Sequence, residues 1–100
     1  MRKTKIVCTI GPVTQSEEMI KKLMEHGMDV ARFNFSHGSY EYHKDCIEKV
    51  RKVASELNLP VAAMMDTKGP EVRLGRFVDD KPVEIKNGDI YTLTTEDCLC

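Results

Sequence analysis

At 100 residues the chain is long enough for one small domain with a modest core. Its 15 lysines and arginines balance 16 aspartates and glutamates, so a formal charge of -1 supplies no field to attract nucleic acid or an anionic membrane. No apolar run approaches the roughly 18 to 20 residues of a membrane helix, and MRKTKIVCTIGP lacks the long apolar centre of a signal peptide; the expectation is a cytoplasmic protein.

In chain order, TKIVCTIGP is a short β-branched run closed by Gly11 and Pro12, the pattern of a buried strand entering a loop. TQSEEMIKKLMEHGM follows, with Thr14 and Glu17 spaced as a capping box and Met19, Ile20, Leu23 and Met24 at helical intervals. Gly27 supplies the stop. Val30 to Phe35 reads as a second strand, in which Arg32, Asn34 and Ser36 share one face and Ala31, Phe33 and Phe35 the other. Ser39 is placed to cap a second helix with an apolar face through Ile47, Val50, Ala54 and Leu57, ended by Asn58 and Pro60. VAAMMD is almost wholly apolar, as in a parallel strand covered on both sides. The order β-α-β-α-β predicts an α/β unit over residues 1–69.

After Gly69 and Pro70 the helical period disappears. EVRLGRFVDDKPVEIKNGDIYTLTT carries Asn87-Gly88, a two-residue hairpin signal, and predicts the start of an all-β unit over 70–100 with three short strands and little apolar mass. Cys8, Cys46, Cys98 and Cys100 fit no zinc spacing and read as scattered reduced thiols. His26 and His43 are isolated groups in predicted helices, suited to surface or packing roles.

The polar residues gather where parallel α/β folds place ligands, beyond the carboxyl ends of the strands. Gly11 and Pro12 follow the first strand, Arg32, Asn34 and Ser36 close the second, and Asp66 and Thr67 close the third. Arg32 offers a planar fork of donors for phosphate or carboxylate. Asn34, Ser36, Asp66 and Thr67 offer hard oxygens, which favour an alkali or alkaline-earth cation. An anion site beside a cation site would hold a phosphorylated ligand and a neutralising metal. The alternative is a buried Arg32–Asp66 ion pair, with Asn34 and Ser36 capping the loop.

TKIVCTIGP, GMDVARFNFSHG and MDTKGPEVRLG, in this order and at these separations, resemble the N-terminal part of pyruvate kinases. The general phosphate motifs G-x-x-x-x-G-K-[ST] and G-x-G-x-x-G are absent. The resemblance implies the first three strands and two helices of a (β/α)8 TIM barrel, interrupted after its third strand by a small β-rich lid domain. It implies phosphoryl transfer from phosphoenolpyruvate to ADP, giving pyruvate and ATP in glycolysis, with potassium and magnesium as cofactors and a homotetramer as the usual assembly.

By the same resemblance Arg32 matches the arginine that binds the substrate phosphate, and Asn34, Ser36, Asp66 and Thr67 match potassium ligands. Asn34, Phe35, Ser36, His37 and Arg73 match nucleotide-binding positions, and Glu71 matches the residue type of potassium-dependent members. The family's phosphoryl-stabilising lysine and magnesium-holding acidic residues come later in the sequence than any motif matched here, and Lys68 has no motif that places it in that role. The expectation is therefore the N-terminal portion of a pyruvate kinase, inactive by itself. The alternative is a short, non-catalytic chain that binds a phosphate or a partner.

Overall fold

A computed structural model describes residues 2–96 and 98; Cys100 lies outside them. The elements are β1 (Val7–Thr9), α1 (Glu17–Glu25), β2 (Val30–Asn34), α2 (Tyr40–Glu56) and β3 (Ala62–Asp66), with one 3-10 turn at Val78–Asp80. The chain divides into two compact units, Met1–Gly69 and Pro70–Cys100.

In the first unit the three strands form one parallel sheet in the order β1-β2-β3. Each parallel step is made by a helix, as parallel neighbours require. The register sets Thr9 beside Arg32, and Asn34 beside Asp66. In β2 the two faces separate as the alternation predicts: Ala31 and Phe33 are fully buried, while Val30, Arg32 and Asn34 are half-buried. The core around Ala31 and Phe33 is built from Ile10, Ile20, Met24, Met28, Cys46, Val50 and Val53.

The helix starts differ from expectation at α1. Its N-cap is Ser16, whose Oγ accepts from the Met19 N–H at 3.2 Å. Thr14 is taken by the turn after β1: its Oγ1 accepts from the Gly11 N–H at 2.9 Å and donates to the Thr9 carbonyl at 3.3 Å. The capping-box spacing was met by a residue still inside that turn. The end is as predicted, because Gly27 adopts φ +101 and its N–H reaches the Met24 carbonyl, while Met28 reaches Leu23. This pair of bonds closes a helix through a left-handed residue. His26 is exposed and caps the helix rather than lying within it.

Ser39 caps α2 as expected, its Oγ accepting from the Tyr42 N–H at 3.2 Å. The buried stripe is His43, Cys46, Val50 and Val53, with Ile47, Ala54 and Leu57 along its flank. It is rotated from the predicted face because a histidine and a cysteine, which an apolar count passes over, occupy its first turns. His43 thus has a buried position, and Cys46 behaves as a small hydrophobe.

Two strands are less covered than their composition predicts. Val7 in β1 is 50 % exposed, and Met65 in β3 is 59 % exposed. Both strands are edges of a three-stranded sheet, and the buried residues of the helices converge on β2 between them. In the second unit the three predicted strands are not found among the described residues. The Asn87-Gly88 turn does form, with Gly88 at φ +96, the Asp89 N–H on the Lys86 carbonyl and the Lys86 N–H on Asp89 Oδ2. The flanking Val83, Ile85, Ile90 and Leu93 are exposed, so the turn has no buried apolar face on which a ladder could assemble.

Candidate functional site

The carboxyl ends of all three strands meet at Arg32. Its Nε donates to Asp66 Oδ2 at 3.0 Å, its Nη2 donates to the same oxygen, and its Nη1 donates to Thr9 Oγ1 at 2.9 Å. The parallel register dictates this convergence, since Thr9 is the last residue of β1 and Asp66 the last of β3. The ion pair anticipated as an alternative is therefore present. It is open rather than buried, with 30 % of the Arg32 side chain and 44 % of Asp66 exposed. A pair so accessible can exchange partners with a ligand at modest desolvation cost. Thr9 was not foreseen as a partner of Arg32. Its signal was positional, a hydroxyl residue at the end of the neighbouring strand.

Beyond Arg32 the chain turns tightly. Asn34 Oδ1 accepts from the Ser36 N–H at 3.1 Å, the His37 N–H reaches the Asn34 carbonyl at 3.3 Å, and the Phe35 N–H reaches the Asp66 carbonyl at 2.9 Å. Such an Asx turn satisfies backbone donors locally and leaves the strand end compact. Gly38 follows at φ +79, where a Cβ would lie 3.0 Å from the Tyr42 ring. Asn34, Ser36 and Asp66 thus belong to one strand-end cluster with Arg32, and Thr67 is the exposed residue immediately after it.

Arg73 and Glu71 belong to the second unit, where Arg73 Nε donates to Glu71 Oε1 at 2.7 Å. That bond, and then the attraction between the two charges, raises the pKa of the guanidinium further.

The donor chemistry fits a singly charged hard cation. Asn34, Ser36 and Thr67 offer neutral oxygens and Asp66 a single carboxylate, too little negative charge for a tight divalent site. Among the described residues no three of histidine, cysteine, aspartate and glutamate form a group able to hold a metal.

A family model described as the barrel domain of pyruvate kinase matches residues 1–100. A probable cytosolic pyruvate kinase isozyme of Arabidopsis thaliana is 50 % identical over 94 % of this chain and 19 % of its own length. Pyruvate kinase 2 of Synechocystis is 48 % identical over 99 % of this chain and 17 % of its own. A pyruvate kinase of Staphylococcus epidermidis is 53 % identical over 96 % of this chain and 16 % of its own. The chain spans less than a fifth of the length of these relatives.

Proposed function

Because the chain belongs to the pyruvate kinase family, we propose that it forms one wall of an active site transferring a phosphoryl group from phosphoenolpyruvate to ADP, with pyruvate and ATP as products. The observation that carries this reading is the Arg32 fork, presented at the carboxyl ends of three parallel strands and engaged by partners open to solvent. In the proposed complex the guanidinium takes two oxygens of the substrate phosphate, and Thr9 keeps its plane fixed through Nη1. Charge spreads over the phosphoryl oxygens during transfer, so a preset cation there lowers the barrier without covalent work by the protein.

Asn34, Ser36, Asp66 and Thr67 would hold potassium beside this phosphate. Potassium, when bound, supplies a second positive charge to the transferring group. Asn34, Phe35, Ser36 and His37 would face the nucleotide, and by the family resemblance Arg73 of the second unit is likewise proposed as a nucleotide-binding position. The proposal extends to the remaining implications of the family: residues 1–69 begin a (β/α)8 barrel, residues 70–100 begin its lid domain, magnesium is held by residues outside these motifs, and the protein is a cytoplasmic homotetramer. No helix is long and apolar enough to cross a membrane among the described residues.

The test is pyruvate formation from phosphoenolpyruvate and ADP by the polypeptide as the cell makes it, with magnesium present and potassium compared against its absence. Turnover that rises with potassium is expected. Binding of phosphoenolpyruvate without turnover would favour a non-catalytic phosphate-binding protein instead.

A further inference from the structure

His43 lies one turn into α2, buried, with its backbone N–H on the Ser39 carbonyl at 3.1 Å. Its Nε2 stands 2.6 Å from the His37 carbonyl oxygen. A carbonyl only accepts, so Nε2 carries the hydrogen. The ring stacks on Phe35, with centroids 4.2 Å apart and planes 19° apart, and meets the Tyr42 ring edge-on at 5.2 Å. Gly38 completes the enclosure, since a Cβ there would lie 3.3 Å from Nε2 at a backbone angle that other residues rarely adopt.

The other ring nitrogen, Nδ1, is buried and has no hydrogen-bond partner among the described residues. Leaving a polar atom unpaired in the interior is costly, and an apolar side chain of similar volume would avoid it. What an apolar side chain could not do is donate to His37. The turn's own closing bond, from the His37 N–H to the Asn34 carbonyl, is long at 3.3 Å, so the shorter bond from α2 is the stronger restraint on it.

We propose that His43 is a positioning residue: through Nε2 it fixes the His37 carbonyl, and with it the course of the Asn34–His37 turn, so that the turn meets the nucleotide in one conformation. The inference rests on the nucleotide-facing role given to that turn above. A small residue at position 38 and a donor at position 43 then form a single device, in which the glycine admits the ring and the ring holds the loop.

The test compares H43Q with H43N in the polypeptide as the cell makes it. Both are amides of similar polarity, but the glutamine nitrogen can occupy the place of Nε2 whereas the asparagine nitrogen falls at the place of Nδ1. For H43N the KM for ADP should rise about tenfold, as expected for losing one well-placed hydrogen bond, and the potassium concentration for half-maximal rate should rise with it, because Asn34 and Ser36 of the same turn would hold that ion. H43Q should recover most of both losses. Equal effects of the two amides, an unchanged KM for ADP in H43N, or failure of both variants to fold would overturn the proposal. If the parent protein forms no pyruvate, the nucleotide reading fails separately, and amide hydrogen exchange at residues 36 and 37 decides the positioning role. Faster exchange in H43N but not in H43Q upholds it; equal exchange overturns it.

Discussion

Arg32 is held by partners of two kinds, a carboxylate that neutralises it and a hydroxyl that only orients it. Replacing it with methionine removes the fork but does not strand Asp66, which is exposed enough to regain water. Arg32→Met is therefore expected to raise the KM for phosphoenolpyruvate by tenfold or more, the scale of a lost bidentate charged contact, with the thermal midpoint shifted by only ~2 °C. Steady-state kinetics and a thermal melt check both parts. A collapse of the fold would instead make the pair structural. Arg32 and Asn34 were legible in the sequence because alternation assigns each strand residue to a face without knowledge of its neighbours, and Asp66 because it closes an apolar run. Thr9 was not, because its role depends on the register between two strands, which no single strand encodes.

The caps and ties around the helices carry their own consequences. Ser16→Ala should destabilise the first unit by about 1 kcal/mol in a denaturant titration, the usual value of an N-cap hydroxyl, and should lower the helicity of α1. Thr14→Ala should leave that helicity unchanged, since its hydroxyl serves the preceding turn. Equal loss of helicity in both variants would restore Thr14 as the cap. Asp29, just before β2, accepts from the Ile6 N–H at 2.8 Å and lies 3.7 Å from both Arg2 and Lys5. The Ile6 bond, ahead of the Lys5 and Arg2 charges, pulls its carboxyl below the ordinary aspartate range. A carboxyl lowered in the folded state adds stability that is fully present above the ordinary value of about 3.9 and disappears as pH falls through the lowered one. Asp29→Asn should flatten the acid limb of stability against pH; an unchanged limb would show that the tie to β1 contributes nothing. Element order and most helix limits were readable because glycine and serine mark them by their own backbone chemistry. The buried stripe of α2 was misplaced because His43 and Cys46 are interior residues by context rather than by type.

For the molecule as a whole, an all-parallel sheet with β1 and β3 as its edges leaves apolar side chains such as Val7 and Met65 in contact with water. Parallel sheets in stable folds are covered on both faces, and uncovered edges invite pairing with another chain. The 100-residue chain produced alone should therefore self-associate with rising concentration in sedimentation velocity and form no pyruvate. A monomer with a cooperative melt at every concentration would count against this. The composition of VAAMMD marks a parallel strand, which is found, but not the double coverage it predicts, since Ala62 to Met65 are exposed. Strand coverage is a property of everything that surrounds a sheet, so composition can state the requirement without supplying the neighbour.

The alternation in β2 also bears on how such genes can vary in length. One codon inserted just ahead of Val30 would exchange the two faces, sending Arg32 and Asn34 into the interior and bringing Ala31 and Phe33 out to the ligand side. Two codons would keep the faces but carry Arg32 past Thr9 and Asp66. Neither change can be absorbed by a conservative substitution elsewhere, so length variation should collect in the turns after β1 and α2 and spare the segment from Asp29 to His37.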